Sequence, residues 1–207
     1  MPVTAIGAYS AQPLDSQHHF NGAQLVYLGW DRHLMFCAPF TFPLPPDMAF
    51  ADFLEQVVKP AIAPHLAARE AGVALTVQSL LKPMQQMLAR EADFTLIEGA
   101  GGWRVPLADQ ANLSDLAMAL KLPVILVVGV RLGCISHALL TAEAIARDGL
   151  SLAGWVANII DPKTSRLEEN LATLAERLPA PCLGRVPKLK HASAEAVAEH
   201  LQLDLLD

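Results

Sequence analysis

Three short stretches carry residue types that could do chemistry, and each follows an apolar run. The first is Glu98-Gly-Ala-Gly-Gly-Trp-Arg-Val-Pro-Leu107. A carboxylate entering three glycines within four residues offers close backbone approach and exposed amides to a phosphate. Such a carboxylate suits a phosphate-bound magnesium ion, directly or through water. The plainer alternative is a tight turn beside a solvated acid. The second stretch is Val127-Val-Gly-Val-Arg-Leu-Gly-Cys-Ile-Ser-His137. Its open helix start, from Leu132 and Gly133 to Ser136, is an anion site for a phosphate or a substrate carboxylate. The alternative is an ordinary strand-to-helix loop with Ser136 as N-cap. The third is Val156-Ala-Asn158-Ile-Ile-Asp161-Pro162, where an amide interrupts an apolar strand. Asn158 could read a base edge or simply close a loop, and Asp161-Pro162 reads as a turn.

The remaining histidines and cysteines point to no site. His33 and Cys37 lie in a strand-like run where four residues span roughly 13 Å, too far to share a metal. His18-His19 reads as a solvated pair. His65, His137, His191 and His200 lack a second ligand at a useful spacing. Cys134 could be reactive at a helix start but reads better as a small buried side chain.

The three stretches need strands and helices to hold them. Phe94–Glu98, Val124–Val128 and Gly154–Ile160 read as buried strands, and Pro181–Gly184 as a short edge strand. Between them, Leu167, Leu171, Leu174 and Leu178 form one helical stripe, opened by a Ser165/Glu168 capping box. Ser136–Arg147 reads as a helix ended by Gly149, and residues 193–201 as a last helix capped by Ser193. Alternation of this kind predicts an α/β fold with a doubly wound parallel sheet, with ligands at the carboxyl ends of the strands.

Composition narrows the class. Of 207 residues 53% are hydrophobic and 17% charged, which excludes a disordered chain. The longest apolar run, Leu122–Val130, is interrupted by Pro123 and Gly129 and is far too short to span a membrane. A net charge of −6 argues against a nucleic-acid partner. Three scattered cysteines, no CxxC pair and no apolar leader lead us to expect a reduced, cytoplasmic protein. The text also changes near residue 60. Before it lie most of the phenylalanines, both tyrosines and a proline-rich stretch; after it the chain is rich in Ala and Leu.

Residues 62–207 resemble dethiobiotin synthetases. The resemblance rests on Ala63-Pro-His-Leu-Ala-Ala68, Glu98-Gly-Ala-Gly-Gly-Trp103, Leu122-Pro-Val-Ile-Leu-Val-Val-Gly-Val130, Leu132-Gly-Cys-Ile135 with His137-Ala-Leu-Leu-Thr141, Leu152-Ala-Gly-Trp-Val-Ala-Asn158 and Gly184-Arg-Val-Pro187. It implies a sheet of the P-loop NTPase type and an ATP- and magnesium-dependent ligase of biotin synthesis. In that family one amine of 7,8-diaminononanoate takes up carbon dioxide as a carbamate. ATP phosphorylates the carbamate, and the second amine closes the ureido ring. By resemblance, Glu98 is the magnesium ligand, and Gly99, Ala100 and Gly101 lie close to the nucleotide. Asn158 meets the adenine, together with backbone around Pro187, Lys188 and Leu189. Leu132, Gly133, Cys134, Ile135 and Ser136 receive the substrate carboxylate across a homodimer interface. Ser136 and Ile159 stand where the family often has asparagine and aspartate.

The front of the chain departs from that pattern. The family opens with a strand and a GTxxxVGKT loop, followed by a catalytic lysine, a serine and a metal-binding aspartate. No G-x-x-x-x-G-K-[ST] occurs here, and the only lysine before Lys82 is Lys59. Residues 1–60 instead resemble the start of the small accessory subunit of multicomponent phenol hydroxylases, through Met1–Ala5, Phe20–Trp30, His33–Phe40 and Pro46–Phe50. Two parts are therefore expected: an N-terminal segment, 1–60, of different origin, and an α/β domain, 61–207, lacking its usual first β–α–β. The leading reading is a dethiobiotin synthetase with poor turnover, because a triphosphate would lose its amide donors and lysine charge. The alternatives are a dimerising or weakly nucleotide-binding remnant, or an accessory protein of an aromatic monooxygenase. Loss of the first β–α–β further predicts that residues 1–60 either supply substitute strands or leave a poorly packed edge.

Overall fold

The β–α alternation in the sequence folds as parallel sheet with helices packed against it. The computed structural model describes residues 4–9, 23–28, 64–70, 72, 74–89, 94–100, 102–108, 110–190 and 194–206. In chain order the elements are β1 (Thr4–Tyr9), β2 (Ala23–Leu28), α1 (Pro64–Glu70), α2 (Val77–Leu88), β3 (Phe94–Ala100), β4 (Pro106–Ala108) and β5 (Ala111–Asn112). There follow α3 (Leu113–Leu120), β6 (Val124–Val130), α4 (Cys134–Arg147), β7 (Leu152–Ile159), α5 (Leu167–Arg177), β8 (Cys182–Val186) and α6 (Ala194–Ala198). A 3-10 turn, Leu203–Leu205, comes last.

Two three-stranded parallel sheets carry the fold, in the orders β1–β3–β2 and β6–β7–β8. Strand β1 pairs with β3 and also lies alongside β6. Residues Thr4–Tyr9 and Ala23–Leu28 of the leading segment thus form strands on either side of β3.

The second sheet shows why its sequence is so apolar. Leu126, Val128 and Val130 of β6 and Trp155, Ala157 and Ile159 of β7 are buried against Cys134, Ala138 and Ala142 of α4. Leu171 and Leu174 of α5, with Leu178 just beyond it, complete that cluster, and Leu167 packs at its edge. The opposite face, with Ile125, Val127 and Val156, is only half-buried. A second cluster joins Trp103, Ala117, Val124 and Ile145.

Three local expectations are corrected. Helix α4 starts at Cys134, not Ser136; its N-cap is Gly133 at φ 91, a left-handed conformation that glycine adopts without strain. Ser136 therefore lies inside the first turn and is not a cap. The Ser165/Glu168 box does not form, because Arg166 at φ 55 leads into α5 and the Asn170 side chain donates to the Ser165 carbonyl, 3.1 Å. Helix α6 ends at Ala198, not 201. Leu201 instead bridges Gly184, and the Gln202 amide donates to the Leu183 carbonyl at 2.7 Å, so the chain end covers the open side of β8. Gly149 ends α4 as expected, at φ 79 with its amide on the Ala146 carbonyl. Ser193, His18, His19, His33 and Cys37 lie outside the described residues.

Ile6 stands in register with Ile97 in β3. Proline there removes a backbone donor from the strand paired with β3, so Ile6→Pro should lower the unfolding free energy by about 3 kcal/mol in urea titrations. An unchanged midpoint would mean that Thr4–Tyr9 does not hold the sheet together.

Candidate functional site

The predicted site residues sit at the carboxyl ends of β3, β6, β7 and β8, where open parallel sheets bind ligands. On β7, Asn158 is in register with Gly129 on one side and with Val186 on the other. Val186 is the last residue of β8, so Asn158 is set next to the start of Pro187–Leu189. The structure thereby brings together residues almost thirty positions apart. Asn158 is half-buried, and among the described residues its side chain makes no hydrogen bond.

Beside this pair opens a cleft of about 630 Å³ lined by Ile159, Pro162, Leu167, Pro187, Lys188 and Lys190, with Leu189 at its floor. Pro162 and Pro187 hold the two walls as non-strand backbone. The turn at Pro162 is closed by Asp161, whose carboxylate accepts from the Lys163 amide at 2.9 Å and whose carbonyl accepts from the Thr164 hydroxyl at 2.8 Å. The result is a slot with apolar sides and two ammonium groups at its rim, which suits a flat heteroaromatic ring attached to an anionic tail. Lys190, Pro162 and Leu167 were not apparent as lining residues from sequence. The one available hint was Lys188 and Lys190 flanking a leucine directly after Pro187.

The loop after β6 is an open helix start. Gly133 gives no side-chain cap, the Cys134 amide donates to the Arg131 carbonyl at 3.0 Å, and the His137 amide to the Gly133 carbonyl at 3.2 Å. The amides of Ile135 and Ser136 find no acceptor among the described residues. They stand at the positive end of a 14-residue helix and can receive a carboxylate. Cys134 is buried, Ser136 is exposed, and Leu132 is 97% exposed.

Glu98 is the fifth residue of β3, in register with Gly7 and Tyr27. Its side chain and the whole of Gly101 lie outside the described residues; Gly99 and Ala100 complete the strand. Among the described residues no group of three His, Cys, Asp or Glu could hold a metal ion. Among the described residues, no helix is long and apolar enough to cross a membrane.

An unforeseen cluster fixes the loop that leaves β3. The Asp148 carboxylate, with an 8% exposed side chain, accepts from Trp103 Nε1 at 2.7 Å. It also receives the Arg104 guanidinium in a fork, at 2.6 and 2.7 Å. Arg104 donates in addition to the Ser114 hydroxyl at 2.9 Å. The Arg104 hydrogen bond, reinforced by that from Trp103, holds the Asp148 carboxyl below the ordinary carboxylate range. Arg104 is thereby committed to a carboxylate rather than free to meet phosphate. Partners 44 and 45 residues apart leave no sequence signature.

The pattern of the family described as AAA domain matches residues 48–196, and that described as phenol hydroxylase matches residues 15–77. The chain is 73% identical over 144 residues to the ATP-dependent dethiobiotin synthetase BioD of Pseudomonas aeruginosa PAO1, covering 70% of this chain and 63% of the relative. It is 52% identical over 174 residues to the protein of the same name from Chromohalobacter salexigens, covering 80% and 72%. The chain thus spans a little under two thirds of the first of these relatives. A ParA family ATPase from Chlorobium tepidum TLS superposes with a TM-score of 0.51 at 11% identity, over 92% of this chain and 82% of that one. That likeness shows a P-loop NTPase-like α/β fold.

Because Asp148 has a folded pKa below its unfolded value of about 3.9, the pairing stabilises the fold fully above that pH. The contribution is lost as pH falls through the folded pKa. Asp148→Asn should cost about 1–3 kcal/mol above pH 5, and the gap to the parent chain should close below pH 4. Urea titrations from pH 7 to 3 would read this; a gap independent of pH would contradict the pairing.

Proposed function

The chain belongs to the dethiobiotin synthetase family, and from that premise we propose that it serves ATP- and magnesium-dependent ureido-ring formation from 7,8-diaminononanoate and carbon dioxide. The observation that carries this reading is the cleft between the ends of β7 and β8. The Pro187–Lys190 wall carries two lysines, and Asn158, next to the lining residue Ile159, stands in register with Val186 where that wall begins. Asn158 would pair with the adenine edge, the prolines and leucines would sandwich the ring, and Lys188 and Lys190 would face the anionic side. Glu98 would hold magnesium, with Gly99, Ala100 and Gly101 giving the nucleotide close backbone approach. Bound ATP and magnesium would supply the phosphoryl group and the charge neutralisation that activate a carbamate.

The loop Leu132–Ser136 would take the substrate carboxylate on the amides of Ile135 and Ser136. We propose that the site is shared across a homodimer. Support comes from Leu132 and from Leu140, which is 61% exposed on the same helix, since large exposed apolar side chains beside a site favour a partner surface. A cytoplasmic setting fits the free thiols of Cys134 and Cys182.

Residues 1–60 are proposed to be a segment of different origin that stands in for the family's first β–α–β around residues 61–207. The phenol hydroxylase match over 15–77 supports this. The segment contributes strands β1 and β2 but no G-x-x-x-x-G-K-[ST] sequence. Binding at the base end should therefore outlast phosphoryl transfer.

Two measurements test the reading. By calorimetry, AMP should bind, and Lys188→Ala with Lys190→Ala should weaken it about tenfold, as expected for loss of a charged hydrogen bond. Phosphate release with the diamine, ATP and bicarbonate should fall far below the 1 s⁻¹ at the low end of ordinary enzymes. No AMP binding would refute the base cleft, and brisk diamine-dependent release would show that residues 1–60 do cradle a triphosphate. For the dimer, Leu132→Glu with Leu140→Glu should halve the mass seen by light scattering; an unchanged mass would remove this face from the interface.

A further inference from the structure

We infer that Asp148 is a positioning residue for the loop that joins Glu98 to α3, a role that rests on the magnesium-side function proposed for that loop. The carboxylate stands just past the last residue of α4, where the helix dipole disfavours an acid. It is not needed to end the helix. Backbone bonds from the Asp148 amide to the Ala144 carbonyl and from Gly149 to Ala146 do that, with Gly149 in the left-handed region. What the carboxylate gains there is three contacts to one segment: Trp103 Nε1 and both arms of Arg104.

Those contacts fix the outgoing limb of the glycine loop. Trp103 is buried with Ala117, Val124 and Ile145. Arg104 reaches on to Ser114, which is 1% exposed, and the Leu113 amide donates to the Val105 carbonyl at 2.8 Å. The limb is thus pinned at three successive residues, Trp103, Arg104 and Val105, while β3 pins the incoming limb as far as Ala100. Gly102, directly before Trp103, has no side chain to anchor it. An apolar void of about 40 Å³ borders Gly99, Gly102 and Trp103, so the loop has room to shift if the pin is withdrawn. Asp148 touches neither nucleotide nor metal in this scheme. It acts through Trp103 and Arg104 on where the outgoing limb of the loop presents its amides.

The test uses the full chain and the variants Asp148→Ala and the near-isosteric Asp148→Asn. Amide hydrogen exchange in peptides covering residues 99–105 should speed up about tenfold or more in Asp148→Ala, and less in Asp148→Asn. The Trp103 indole proton should move upfield in both by NMR. Mn²⁺ binding in the presence of ATP, read by electron paramagnetic resonance, should weaken about fivefold, the loss of roughly one loop-amide hydrogen bond to the phosphates. AMP binding at the Pro187–Lys190 cleft should hold. Unchanged exchange at 99–105, or an equal loss of AMP and Mn²⁺ binding, would overturn the inference. A parent chain that binds no Mn²⁺ with ATP, while exchange still rises in Asp148→Ala, would uphold the pin and fail the magnesium reading.

Discussion

A parallel sheet cannot leave an empty slot in its middle, because the strands on either side would face it with unpaired amides and carbonyls. In this protein Thr4–Tyr9 is paired residue for residue with Thr95–Ala100 and lies alongside β6. The ladder asks little of the sequence that fills it. Backbone hydrogen bonds do not depend on side-chain identity, and a six-residue run with one isoleucine, one threonine and one tyrosine suffices.

Chemistry is more exacting than the ladder. A strand in the right place presents its carboxyl end at the right place, but a phosphate needs a nest of amides and a positive charge immediately beyond. In the glycine loop after β3 the cation Arg104 is already forked onto Asp148. The base cleft is different. Its walls, Ile159–Leu167 and Pro187–Lys190, belong to neighbouring connections of the second sheet.

Helix α4 links these parts. Its start, opened by Gly133, carries free amides over the loop after β6. Asp148, immediately past its end, carries the carboxylate that pins the loop after β3. Between the two, Cys134, Ala138 and Ala142 lie flat against β6 and β7, small residues that let the helix sit close to the sheet. Fourteen residues at about 1.5 Å each make a rigid rod of about 21 Å. Two loops far apart in sequence are thus held in one frame.

Periodicity alone was enough to find β3, β6, β7, β8 and the helices α4 and α5, because their apolar residues repeat at the spacing of the face they bury. It also marked Asn158, an amide in an apolar strand, and Gly133 at a helix start. The lysine-lined wall, the pairing of Thr4–Tyr9 with β3 and the Trp103–Arg104–Asp148 cluster were decided only in three dimensions. Register across β7 and β8 set Asn158 beside Val186, and packing brought Asp148 to residues 44 and 45 positions earlier. Such pairings are chosen by which surfaces meet when the core closes, and local propensity carries no record of a meeting between distant segments.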